Sequence, residues 1–161
     1  MPSTNKHSNE IKSDQPQELQ QFVTMTIGHQ IFGISVEYVV DILSPQKINP
    51  IPLTRKEIVG SLNLRGRIVT AIDIRVFLDI HEEVDIQKNM CVVIEYNNEL
   101  FSLLVDKVGD VASSPTEALI KNPDNLTKLW QEISLGIFPM QNELVVILDL
   151  NKVMTSLMGE K

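Results

Sequence analysis

Catalysis needs reactive groups that converge, and the candidates in this sequence of 161 residues do not fall at converging spacings. The histidines occupy a polar N-terminal stretch (His7), a predicted hairpin turn (His29) and a polar loop (His81). None has a companion at metal-ligand or triad spacing. The run His81-Glu82-Glu83-Val84-Asp85 holds donor atoms for a cation, but with no second ligand cluster it reads as a solvated face. There is no glycine-rich phosphate loop, no serine elbow and no Cys/His arrangement. Asp73 and Asp149 each end a predicted strand just before a short helical segment, Ile74 to Leu78 and Leu150 to Met154. Two matched aspartates suggest an acid/base pair, yet an aspartate at that place also satisfies the free N–H groups of a helix start, and capping is the expected role. By the same reasoning Asp106 and Glu37 are strand-end or cap residues. No catalytic residue, metal or cofactor is expected.

The elements that must position these groups come from a chain that is 43% hydrophobic and only 5% aromatic, enough for one compact domain or two very small ones with a common interface. Cys91 is the only cysteine, lies inside the apolar run Met90 to Ile94, and is expected to be a buried small hydrophobe in a reducing compartment. No apolar stretch approaches the ~20 residues that span a bilayer, and no signal-peptide core begins the chain. Direct membrane insertion is therefore not expected. A net charge of −7 with scattered lysines and arginines argues against nucleic acid as a partner. Residues 1–17 are polar and aperiodic and are expected to be a disordered tail, with folded chain from residue 20.

Internal repetition organises the remainder. Phe22 to Ile42 matches Cys91 to Val111 at an offset of 69, with Val23, Phe32, Val36, Val39 and Asp41 meeting Val92, Phe101, Val105, Val108 and Asp110, and Glu37 meeting Asp106. Each copy reads as a hairpin around a polar turn. At an offset of 76, Arg67 to Leu78 matches Glu143 to Met154, and Gly60 falls on Gly136. Two copies of hairpin, connector and strand ending in Asp predict a mainly β chain built from a duplicated unit of roughly five strands, the size of a small closed barrel.

Local patterns fill in the copies. Val36, Val39, Val40 and Leu43 fall at i, i+3, i+4 and i+7 and predict a short helix after the first hairpin. Thr54 to Glu57 forms a capping box with a Leu53/Ile58 staple, and Gly60 ends that turn. Ser61 to Leu64 and Arg67 to Ile74 read as strands hinged on Arg65-Gly66, where glycine supplies the positive φ of a tight turn. Residues 112–134 have no repeat counterpart and read as a long connector, with a helical start near Pro115-Thr116-Glu117 and with Trp130 as a core residue rather than a partner anchor. Arg65 is unusual, because a cation at the tip of a tight turn has no local packing reason to be there, but on pattern alone it still reads as a solvated turn residue.

The string Ile58-Val59-Gly60-Ser61-Leu62-Asn63-Leu64-Arg65-Gly66-Arg67-Ile68-Val69, followed by Ile72-Asp73-Ile74-Arg75, resembles the signature of the CheW family of chemotaxis coupling proteins. Phe22-Val23-Thr24, Phe32-Gly33-Ile34, Val39-Val40-Asp41-Ile42, Val92-Val93-Ile94 and Leu104 to Val108 fall in the family's order, so the likeness covers about residues 20 to 158. The resemblance implies two intertwined SH3-like five-stranded β-barrels with short helices. Residues 1–19 are then a tail and 20–161 the family domain, with subdomains at about 22–88 and 89–158 that exchange strands.

It also implies a non-catalytic adaptor that binds the cytoplasmic tip of a chemoreceptor and the regulatory domain of a CheA-type histidine kinase. Such a protein is a monomer alone and part of arrays, in the bacterial cytoplasm at the inner membrane. Carried over by position, the implied partner-binding residues are Val39, Asp41 and Arg65, then Val36, Asn63, Leu64, Gly66, Ser102 and Val105. Thr70 stands where the family often has proline, Ser102 where it has glycine, and Asp41 where it has glutamate. At 161 residues, a fused kinase or receiver is not expected. The competing class is a small ligand-binding or enzymatic β protein that uses the cleft between the barrels.

Overall fold

The computed structural model describes residues 19–52, 55–115, 119–140 and 142–159. The expected tail disorder, the Thr54 capping box with its Leu53 staple, and the helical start at Thr116-Glu117 lie outside the described residues. Among the described residues ten strands run in chain order: β1 (Leu19–Ile27), β2 (Gln30–Ser35), β3 (Val39–Leu43), β4 (Ile58–Leu64), β5 (Arg67–Asp73), β6 (Met90–Tyr96), β7 (Glu99–Val105), β8 (Lys107–Pro115), β9 (Ser134–Met140) and β10 (Glu143–Leu148). Helix α1 (Ile74–Phe77) follows β5, α2 (Lys128–Ile133) precedes β9, and α3 (Leu150–Leu157) follows β10.

Alternation of apolar side chains explains the strands and how they stack. On β1, Val23, Met25 and Ile27 enter the main core, whereas Phe22 points the other way to join Val145 and Ile147. On β6, Val92 and Ile94 enter the main core, and Cys91 and Val93 join Leu62, Val69 and Leu104 in a separate cluster. Each sheet thus has one face in a common core and a second face with a small core of its own.

The two five-stranded sheets have the orders β8-β1-β2-β10-β9 and β3-β6-β7-β5-β4. Replacing each strand of the first by its repeat counterpart, 69 or 76 positions away, gives the second. Among the described residues only β2/β10 and β5/β7 pair in parallel. Each sheet therefore takes its central hairpin from one half of the chain and its remaining strands from the other.

The expected barrels are not observed: the sheets are open, and no ladder closes either of them among the described residues. The connectors supply a reason. Asn49 exchanges both backbone hydrogen bonds with Ser61 at 2.8 Å, and Ile120 exchanges both with Ile137 at 2.7 and 2.9 Å. The outer edges of β4 and β9 are thus met by connector residues instead of by β3 and β8. Gly60 and Gly136 permit this approach, because a Cβ on Gly60 would lie 2.3 Å from the Asn49 carbonyl oxygen and one on Gly136 would lie 2.8 Å from that of Ile120. Gly60→Ala is expected to lower the unfolding free energy by about 1–3 kcal/mol, as overpacking does. Urea denaturation checks this, and an unchanged midpoint would show that the Asn49 segment yields freely.

Three further expectations are corrected. Residues 36 to 43 form a 3-10 turn, Val36–Tyr38, and then strand β3 rather than a helix. The spacing that suggested a helical face also fits a strand whose Val39, Asp41 and Leu43 turn inward, and a run of β-branched side chains favours the strand where β6 offers an open edge. Gly60 lies inside β4 and ends no helical turn. The connector 112–134 is more structured than expected: β8 continues to Pro115, and α2 is capped by the Thr127 hydroxyl, which accepts from the Trp130 N–H at 3.2 Å. Trp130 is half-buried, meets Phe32 edge to face at 5.2 Å, and donates its indole N–H to the Leu78 carbonyl at 3.0 Å.

Asp73 and Asp149 cap α1 and α3, accepting from the backbone N–H groups of Arg75 and Lys152. Arg75, however, is a buried cation. Its guanidinium pairs with Asp73 at 3.5 Å and with Asp106, whose other oxygen accepts the Gly28 N–H at 2.8 Å. Asn89 also donates to Asp106, at 3.3 Å. Burial pushes the Asp73 carboxyl above its ordinary range, with the Arg75 charge pulling against it. This network lies where the chain leaves β7 in one sheet for β8 in the other, and it ties the β1–β2 turn to the end of β5.

Candidate functional site

The β4–β5 hairpin turns on Arg65 and Gly66, with φ of 52° and 86°. Both central residues are left-handed, the pattern of a type I′ turn. The Asn63 side-chain oxygen accepts the Gly66 N–H at 3.0 Å and fastens the turn. In the β6–β7 turn two positive-φ positions in a row are carried by Asn97 and Asn98, which tolerate them well. Arginine does not, at a cost of about 1 kcal/mol, so turn chemistry does not account for Arg65.

The Arg65 guanidinium reaches across to Asp41 on β3, at 3.1 Å. Its side chain is 78% exposed and that of Asp41 26%. A second Asp41 oxygen accepts the Ile42 N–H at 2.9 Å and holds the carboxylate in place. An exposed pair of this kind contributes about 0–1 kcal/mol, no more than the backbone strain it accompanies. Val40 and Ile42 are exposed on the outer face of β3, and Ile68 just past the turn is 75% exposed. The hairpin tip and the edge strand therefore present a fixed ion pair bordered by uncovered apolar side chains, which suits protein recognition rather than chemistry on a small molecule. Among the described residues no group of three or more His, Cys, Asp or Glu side chains could hold a metal ion. Among them, too, no helix is long and apolar enough to cross a membrane.

Residues 21–158 match the model of the CheW-like domain. The chain belongs to that family. Among its relatives are the chemotaxis protein CheW of Klebsiella aerogenes, 28% identical over 138 residues (85% of this chain and 82% of that one), and that of Treponema pallidum, 23% identical over 140 residues (84% and 82%). The crystal structure of the scaffolding protein TtCheW from Thermoanaerobacter tengcongensis superposes with a TM-score of 0.74 at 21% identity, covering 85% of this chain and 88% of that one, and shows the same fold. Family membership makes this chain a non-catalytic adaptor of chemotaxis signalling.

The residues singled out from the family pattern divide by depth. Asp41 and Arg65, far apart in sequence, are brought together, and Asn63 and Gly66 shape the turn that presents Arg65. Leu64 is half-buried against the small core of its sheet, and Val36 and Val39 are half-buried at the edge of the common core. Ser102 and Val105 are wholly buried on β7 and offer no surface. Sequence reasoning missed Arg75 as a buried cation and Ile68 as the most uncovered apolar side chain at this tip. A signal for Arg75 was available, since it interrupts the apolar run Ile72 to Leu78 next to a capping aspartate.

Proposed function

We propose that this chain joins the cytoplasmic tip of a chemoreceptor to the regulatory domain of a CheA-type histidine kinase, as a monomer recruited into arrays beneath the bacterial inner membrane. The contact surface is the Asp41–Arg65 pair with the exposed side chains around it. One observation carries this reading: an arginine occupies a left-handed turn position that asparagine would fill at lower cost, and it displays its charge beside a fixed carboxylate. Strain retained at an exposed position with little stabilising return is the pattern of a functional residue.

Substitution at Arg65 tests it. Arg65→Asn relieves the turn and should leave stability unchanged or raise it by up to about 1 kcal/mol, while weakening partner binding about tenfold to a hundredfold, as loss of a charge-assisted hydrogen bond does. Arg65→Glu should bind as weakly and destabilise by only about 0.5 kcal/mol. Gly66→Val is the opposite control, strained at φ 86° and expected to melt early. Thermal melts and titration with purified receptor and kinase fragments separate the two effects. If Arg65→Asn bound both partners at full strength, the surface would lie elsewhere.

A further inference from the structure

Two hairpins of the second sheet reverse direction through two consecutive residues at positive φ, and they fill those positions differently. Between Tyr96 and Glu99 the chain uses Asn97 and Asn98, a residue type that enters the left-handed region at little cost. Between Leu64 and Arg67 it uses Arg65 and Gly66, of which only the glycine is suited. An Arg-Gly pair has a competing choice, the type II turn, which keeps glycine at positive φ and lets the residue before it fall to about −60°. Something must therefore hold Arg65 at φ 52°.

Asn63 is placed to do so. Its side-chain oxygen accepts the Gly66 N–H at 3.0 Å and closes a ring around Leu64 and Arg65. The residue at the same place before the other turn is Glu95, which faces Leu100 as Asn63 faces Ile68. Among the described residues no side chain accepts the Asn98 N–H there. The fastener thus occurs at the turn that needs it and is missing where both residues are suited. Asn63 is exposed, so water can replace it on the Gly66 N–H, and the bond adds little to global stability. What it holds is a direction: from this backbone the Arg65 guanidinium reaches Asp41 at 3.1 Å, and the Ile42 N–H holds that carboxylate at 2.9 Å.

We infer that Asn63 is a positioning residue for partner binding, which acts without touching the partner by keeping the Arg65 backbone left-handed and its guanidinium beside Asp41 on the contact surface. The inference rests on the adaptor reading above and assigns its strained arginine the residue that keeps it displayed. When the ring is lost the turn divides between two states, and affinity falls in proportion to the fraction that stays competent.

The test is titration of the full chain with purified receptor and kinase fragments, together with thermal melts and amide hydrogen exchange at Gly66. Asn63→Ala is expected to weaken binding about fivefold to tenfold, to speed Gly66 exchange, and to leave the melt close to that of the wild type. Asn63→Asp keeps an oxygen acceptor and should restore both binding and protection. In an Arg65→Asn background the fastener has nothing left to hold, so adding Asn63→Ala should cost no further affinity. The same loss in both backgrounds would make Asn63 a contact residue and overturn the inference, as would a failure of Asn63→Asp to restore binding while Gly66 stays protected. A melt lowered as far as that of Gly66→Val would make Asn63 structural and overturn it too. Wild-type affinity in Asn63→Ala, with Arg65→Glu impaired, overturns the inference and leaves the adaptor reading standing, whereas failure of the wild type to bind either fragment overturns both.

Discussion

Replacing Arg75 with leucine is expected to destabilise the protein by about 3–5 kcal/mol, a large share of the 5–15 kcal/mol that holds a domain of this kind together. The guanidinium side chain is 2% exposed and faces two carboxylates. Its removal leaves Asp73 partly buried without its cation and Asp106 with only the Gly28 and Asn89 donors. The loss is expected to come mainly from uncompensated buried charge. That origin can be tested separately. Adding Asp73→Asn and Asp106→Asn to Arg75→Leu removes the stranded charges, keeps a good cap at position 73, and should recover much of the loss. Urea unfolding followed by circular dichroism measures all of these. A single variant within 1 kcal/mol of wild type would show that the network carries little of the coupling between the sheets.

A fragment ending at Glu83 should not fold. It keeps β1 to β5 but loses β6 and β7, the strands that separate β3 from β5 in their sheet. β3 is left with no ladder partner, and the β1–β2 hairpin loses both β8 and β10. The common core draws on both halves at once, with Phe32 and Ile72 on one side of the chain midpoint and Leu103 and Val146 on the other. The full chain should accordingly unfold in one transition and the fragment should show no cooperative melt. A dispersed amide spectrum and a sharp melt from the fragment would contradict an inseparable core.

The duplicated order of strands was readable because hairpin residues such as Val23/Val92 and Phe32/Phe101 are constrained by the same core and keep the same chemistry. Closure was not readable. Whether a sheet of this size joins its edges depends on where Asn49 and Ile120 lie, and these sit in connectors without periodicity. The helix expected over Val36 to Leu43 failed because spacings of three, four and seven fit a short strand and its preceding turn as well as a helical stripe, and the open edge of β6 decided between them. At the candidate site, Arg65 stood out as a cation without a packing role, and its left-handed φ strengthens that reading. The approach of Asp41 to Arg65 is tertiary and carries no local signal. Ser102 and Val105 came from family position, which does not report depth.

An adaptor must physically couple its two partners. The most direct measurement is co-sedimentation of purified kinase with receptor-bearing membranes, with and without this protein, alongside kinase autophosphorylation. Kinase should reach the pellet and change its autophosphorylation rate only when the protein is added, and Arg65→Glu, though folded, should largely abolish both effects. A kinase distribution and rate unaffected by the wild-type protein, across several ionic strengths, would contradict it.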